Sequence, residues 1–158
     1  MQKITPFLWF NGQAEEAAHF YSEIFKDAKI KDLVRYPEGS PDGQGGKLMT
    51  ATLEIEGQEF NLLNGGPQFR FTEAISFVIN CDSQEEVDTY WNQLTADGGQ
   101  PGQCGWLKDK FGLSWQVIPV QLSQILADPD PERSAKAAAA MLKMQKIDIA
   151  ALEAARDA

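Results

Sequence analysis

Histidine is nearly absent from this chain of 158 residues: His19 is the only one. It neighbours Phe20 and Tyr21 but falls off the apolar side of its segment, which reads as a surface or semi-buried structural position and not as catalysis. Cysteine occurs twice, at Cys81 and Cys104, too far apart for a CxxC metal knuckle, and two thiols define no disulfide framework. Both read as buried free thiols, with a reactive Cys104, flanked by glycine, as the alternative. No apolar run approaches the roughly 18 residues that cross a bilayer. The opening MQKITPFLWF passes straight into a strand-like segment without the pattern of a signal peptide. A soluble, cytoplasmic protein with no membrane partner is expected. Positive charge is also short: 14 Lys and Arg against 23 Asp and Glu leave a formal charge of −9. With no Lys/Arg cluster, a phosphate backbone would repel the chain, which excludes nucleic acid as a nonspecific partner.

What is present is ordinary for a globular protein: 43% hydrophobic and 23% charged residues, at a length that suggests one domain over residues 1–158 with a sizeable core. Ile4 to Phe10 is apolar and aromatic and predicts a buried strand, ended by Asn11-Gly12. Ala14, Ala17, Ala18, Tyr21, Ile24 and Phe25 recur at helical spacing and predict a helix over about 13–26. Lys29 to Tyr36 is a second strand. PEGSPDGQGG, residues 37–46, is rich in turn residues and reads as a mobile loop. Leu48–Ile55 and Gln58–Asn64 flank Glu56-Gly57 as a hairpin.

The order then starts again after Gly65-Gly66-Pro67. Ala74 to Asn80 predicts a strand. Ser83 with Glu86 forms a capping-box signature, and Val87, Tyr90, Trp91 and Leu94 follow at helical spacing until Asp97-Gly98-Gly99 stops them. Extended segments follow around 103–108 and 113–120. The residues repeat with the elements: EEAAHFYSEI (15–24) lies over EEVDTYWNQL (85–94) at an offset of 70, which marks a duplicated unit. The modules expected are 1–66 and 72–120. Beyond them, 121–158 has no strand signal. Asp130-Pro131 is a helix start, Asp148 can cap a last helix, and this alanine-rich tail is expected to pack on the sheet or on a partner subunit.

A tandem strand-helix-strand-strand-strand chain resembles the vicinal oxygen chelate superfamily, that of glyoxalase I, extradiol dioxygenases and the bleomycin and fosfomycin resistance proteins. The stretches FLWFNGQAEEAAHFY (7–21), GWLKDKFGLSWQVIP (105–119) and AMLKMQKIDIAALE (140–153) are similar to its PhnB-like branch, which carries the label 3-demethylubiquinone-9 3-methyltransferase. The resemblance implies an α+β fold of tandem βαβββ modules forming a cupped mixed sheet, with C-terminal helices added, and a homodimer. It also implies where metal ligands would stand. The histidine of the first strand falls on Thr5 in the first unit, and on Ala74 or Ile75 in the second. The family's Asp-x-x-Gly followed four residues later by Glu falls on Asp109, Gly112 and Gln116, and at the same spacing Gly57 leads to Asn61. Both acids have become neutral amides. Since a divalent ion needs charged or imidazole donors, at about 2.0–2.2 Å for zinc, no metal and no cofactor are expected.

Strand alternation places Phe7 and Trp9 on the side of Thr5, Leu63 beside Asn61, and Ser114 and Ile118 on the side of Gln116, with Trp115 opposite, against a helix. Thr5, Phe7, Trp9, Asn61, Ser76, Ser114 and Gln116 are thus the candidate contacts of a small-molecule ligand in an aromatic-walled pocket; the alternative is that they fill the core and satisfy one another. Lys108, Asp109 and Lys110 read as a solvated hairpin end. A glyoxalase-like binding protein is the leading functional reading. A metal-dependent lyase or dioxygenase holding its ion through Gln116, Asn61 and Glu59 is the alternative. The methyltransferase of the family label is disfavoured, because the glycine-dense stretch 39–46 precedes no helix, whereas an S-adenosylmethionine enzyme usually has a glycine-rich strand-to-helix turn.

Overall fold

The computed structural model describes residues 1–158, apart from the side chain of Asp42. The chain divides into two compact units, Met1–Phe71 and Thr72–Ala158, and each repeats the same plan.

In the first unit, β1 (Phe7–Phe10) leads into α1 (Ala14–Ile24), β2 (Ala28–Arg35), β3 (Leu48–Ile55) and β4 (Gln58–Asn64). The four strands form one mixed sheet in the order β1-β4-β3-β2, with β1 parallel to β4 and the other pairs antiparallel. The expected first strand starts later than Ile4, which is 83% exposed; pairing begins where the Pro6 carbonyl accepts from Asn61 N–H. Leu8 and Phe10 are buried with Ala51, Leu53, Phe60 and Leu62, all on the face that α1 covers. The helix fits there because its contact residues are Ala14, Ala17, Ala18 and Tyr21, three of them small enough for close approach. Gln13 supplies no cap. Asn64 on β4 does so instead, its Oδ1 accepting from Ala14 N–H at 2.9 Å. Glu56 and Gly57 both have positive φ, 48° and 82°, the requirement of a two-residue hairpin turn that matches strand twist.

In the second unit, β5 (Ser76–Cys81), α2 (Gln84–Thr95), β6 (Gln100–Pro101), β7 (Trp106–Lys108) and β8 (Ser114–Pro119) form a second mixed sheet, ordered β5-β8-β7-β6. Again the first strand of the unit runs parallel to the last, and the remaining pairs are antiparallel. The topology is that of the first unit strand for strand, so the offset of 70 in the helices reflects a duplicated βαβββ module. The expected α+β fold is present as two four-stranded mixed sheets, neither closed on itself. Ser83 Oγ accepts from Glu86 N–H at 3.2 Å, as the capping signature requires.

The tail folds into α3 (Gln121–Leu126), α4 (Pro131–Met141) and α5 (Ile149–Asp157). Asp130 and Asp148 cap the last two through Glu132 N–H and Ala151 N–H. Leu122, Ile125, Ala137, Ile147 and Leu152 form a core of their own, with Ile118 of β8 packed against it. The tail is stitched to its unit: Cys104 and Gly105 N–H donate to the Met144 and Gln145 carbonyls.

Candidate functional site

Helix α2 covers one face of the second sheet, where Cys81, Leu107 and Val117 are buried with Val87 and Leu94 of the helix. Strand register puts the other alternate side chains on the opposite face. One row across the four strands reads Ser76, Ser114, Lys108 and Gln100, and the next reads Val78, Gln116 and Trp106. Along this face lies a cavity of about 470 Å³, lined among others by Glu73, Gln100, Pro101, Trp106, Lys108 and Ser114. Gly102 forms part of its wall and bonds to the Trp106 carbonyl at 2.8 Å. A Cβ there would lie 2.8 Å from that same oxygen, so a larger residue would force the wall open.

Three predicted contacts belong to this unit. Ser114 lines the cavity; it is 1% exposed, and its Oγ has no hydrogen-bond partner. Ser76 and Gln116 stand beside it on the same face, joined by a 2.8 Å bond from Gln116 Nε2 to Ser76 Oγ. Lys108 pairs with Glu73, whose carboxyl is held below the usual range first by the hydrogen bond from that ammonium.

Asp109 is a correction to the sequence reading. The charge alternation of 108–110 suggested a solvated turn, but Asp109 is 2% exposed. Its Oδ1 accepts from Phe111 N–H at 2.9 Å and Leu113 N–H at 3.1 Å, and its Oδ2 from Trp115 Nε1–H at 2.9 Å. It thereby fixes the loop that delivers Ser114. The signal in the sequence was the Asp-x-x-Gly spacing: Gly112 takes φ 88° and bonds back to the Asp109 carbonyl. Gln100 and Pro101 were also missed, because a two-residue edge strand leaves no periodicity to read.

In the first unit the face away from α1 carries Phe7 opposite Asn61 and Trp9 opposite Leu63. Thr5 precedes the strand and is half-buried. Asn61 Oδ1 accepts from Thr52 Oγ at 2.9 Å. Trp9 Nε1–H donates to the Gly66 carbonyl at 2.9 Å, and its ring meets Phe69 edge-on at 4.9 Å. Gly65 makes room for that indole: a Cβ would fall 2.4 Å from ring atom Cζ2. Lys31 bonds to Glu59 at 2.6 Å and to Glu54 at 3.3 Å, and these carboxylates, Glu59 foremost, raise its pKa. A cleft of about 870 Å³ in this unit is lined by Arg35, Tyr36, Lys47, Asn64 and Gln68 among others, and none of the four predicted residues of this unit lines it.

The residues at the resemblance's ligand positions do not fit a divalent ion. Ala74 and Ile75 offer no donor. The Asn61 oxygen is engaged by Thr52 and Glu59 by Lys31, while Gln116, whose Nε2 is bonded to Ser76, offers only a neutral amide oxygen. Among the described residues no three His, Cys, Asp or Glu side chains cluster as a metal site. A set of neutral amides and hydroxyls offers no charge to offset the ion's desolvation. The glycine-rich stretch contains a 3-10 turn over Pro41–Gly43 and joins antiparallel β2 and β3, so it opens no helix. His19 is exposed. Cys81 is buried, and burial pushes its thiol from an ordinary 9.0 to about 12, which leaves it inert. Cys104 is half-buried, with Sγ 3.5 Å from the Met141 carbonyl.

No helix is long and apolar enough to cross a membrane among the described residues. A family model described as 3-demethylubiquinone-9 3-methyltransferase matches residues 2–118. No curated protein matches the chain. Among solved structures, a protein from Bacillus cereus described as a PhnB protein and putative 3-demethylubiquinone-9 3-methyltransferase is 37% identical. That match covers 75% of this chain and 100% of the other, with a TM-score of 0.69. A protein from Pseudomonas aeruginosa, 23% identical, matches over 75% of this chain and 98% of its own, with a TM-score of 0.64. The fosfomycin resistance protein FosX of Listeria monocytogenes shares the fold at 19% identity and a TM-score of 0.53, over 78% of this chain and 94% of its own. With its duplicated βαβββ topology and a family match spanning both modules, the chain belongs to the PhnB-like branch of the vicinal oxygen chelate superfamily, in the family described as 3-demethylubiquinone-9 3-methyltransferase.

Proposed function

We propose that this protein binds a small molecule through the sheet faces turned away from α1 and α2, and that it does so without a resident divalent metal. The observation that carries the reading is the cavity of about 470 Å³ on the second sheet, into whose wall a buried and unpartnered Ser114 hydroxyl is built. A pocket with apolar walls and a few placed polar groups is what small-ligand sites use. Ser76 and Gln116 extend the polar row beside Ser114, and Thr5, Phe7, Trp9 and Asn61 offer a comparable face in the first unit. The family label names a methyl transfer. The loop over 37–47, with antiparallel strands on both sides, argues against reading that label literally, because a nucleotide-like cofactor needs a glycine turn aimed at a helix N-terminus. A homodimer is part of the same reading, since Phe69 and Leu142, outside the candidate contacts, are 65% and 66% exposed and such apolar surface favours association.

Two measurements test this. Protein purified without chelator, loaded with Zn²⁺ or Mn²⁺ and then dialysed, should retain far less than one ion per chain. One retained ion per chain, lost in Gln116→Ala, would favour the metal-dependent lyase or dioxygenase instead. A screen of small aromatic and alicyclic compounds by protein NMR should move the amide signals of Trp106 and Ser114. A screen that moves neither removes the binding site.

A further inference from the structure

The polar row across the second sheet is satisfied at two of its members. Ser76 Oγ accepts from Gln116 Nε2, and Lys108 is paired with Glu73. Ser114, between Ser76 and Lys108 in the register, has no partner for its Oγ although it is 1% exposed. An unpaired hydroxyl in a buried wall is a standing cost that alanine would remove. Ser114 lines the cavity, and a small shift of the wall that uncovers its Oγ makes it a donor for an acceptor that arrives with the ligand. The Lys108 charge is already cancelled by Glu73, so an anion has no free cation among these groups to seek. On the Ser114 face the wall is carried by the Trp106 ring and the side-chain-free Gly102, which suit a flat apolar body.

Resting on the small-molecule reading above, we infer that this cavity takes an uncharged, largely apolar ring compound bearing a carbonyl oxygen, with Ser114 Oγ–H donating to that oxygen and Trp106 against the ring. The contact selects by chemistry. A ligand with the oxygen repairs the orphaned hydroxyl, a hydrocarbon of the same shape leaves it orphaned, and a carboxylate must be desolvated without gaining a free cation.

The test uses three probes of similar size on the full chain, followed by amide NMR titration: acetophenone, ethylbenzene and benzoate. Acetophenone should bind about tenfold more tightly than ethylbenzene, the gain of one net hydrogen bond, and more tightly than benzoate. In Ser114→Ala the advantage over ethylbenzene should vanish while ethylbenzene itself binds as before. That variant should melt at or above the wild-type temperature, because it deletes an unpaired buried group. Persistence of the acetophenone advantage in Ser114→Ala, tighter binding of benzoate, or a marked fall in the variant's melting temperature each overturns the inference while leaving a small-molecule site in place. Failure of all three probes to shift any cavity amide takes the site away as well.

Discussion

Asp109 shows how one buried carboxylate can organise a site that it does not line. Each of its three hydrogen bonds reaches a donor within six residues, so it acts as a local template for the turn between β7 and β8, and Ser114 follows directly from that turn. Removing the side chain takes the acceptor from two backbone N–H groups and an indole N–H, two of these bonds being buried. Asp109→Ala should therefore cost about 3 kcal/mol or more, read as a lower urea midpoint. Asp109→Asn keeps one acceptor oxygen and should lose less. An alanine variant within about 0.5 kcal/mol of wild type, the range of an ordinary surface substitution, would mean that the carboxylate is not the organiser. The sequence could not reveal this. Lys-Asp-Lys has the look of a solvated turn, and only the fold brings Trp115 round so that its indole faces back toward the acid.

Among elements, one side chain of α2 ties down the entry to α5. Gln84 Nε2 donates to the Ile147 carbonyl at 2.9 Å, and its Oε1 accepts from Ile149 N–H at 2.8 Å, so a residue of α2 satisfies one of the open donors at the start of α5. Lys146 adds a 3.0 Å pair to Asp88, which Gln84 also contacts at 3.0 Å. Gln84→Ala should destabilise the second unit by about 1–3 kcal/mol and speed amide hydrogen exchange first in residues 145–155, where opening needs the least disruption. Uniform acceleration, or none, would show that the Ile147–Leu152 core holds the tail unaided. Much of the architecture was legible in the sequence because it rests on periodicity: the edges of β3 and β4, the cap at Ser83, the starts of α4 and α5, and the repeat of α1 in α2. What stayed hidden was long-range. Asn64 capping α1 from fifty residues away, and Gln84 holding α5 from sixty-five, leave no local pattern. Of the candidate contacts, strand alternation set Phe7 and Trp9 on one side of their strand and Ser114 and Gln116 on one side of theirs, while the cross-strand neighbours, Asn61 for Phe7 and Ser76 for Ser114, came from the register alone. Alternation could not show that Ser114 would be the one without a partner.

Across the whole molecule the balance of charge is lopsided, at −9, yet the basic groups are largely spent in pairs. Lys31 bridges Glu54 and Glu59, and Arg133 joins Asp128 to Asp157, which Arg156 also holds. These pairs lie at the surface, where each contributes little. Hydrogen bonds hold three carboxyls below the usual range: from Gln84 first and then Lys146 at Asp88, from the Asp130 backbone N–H first and then Arg133 at Asp128, and from Arg156 at Asp157. Groups lowered in this way stabilise the fold above their ordinary pKa of 3.8 and release that contribution as pH falls through the folded values, so their effect belongs to strongly acidic solution. At neutral pH the larger electrostatic quantity is the unpaired excess of acids, whose mutual repulsion favours expansion. Salt weakens both the repulsion and the pairs, but the repulsion acts over longer distances and is screened more fully at a Debye length of about 8–10 Å. Raising NaCl from about 0.01 M, where that length is about 30 Å, to about 0.15 M at pH 7 should thus raise the melting temperature by a few degrees. The same change near pH 3, with most carboxyls protonated and the excess charge turned positive, gives the control: there chloride should again stabilise, whereas a fall in melting temperature at pH 7 would place the surface pairs above the net charge in holding the protein together.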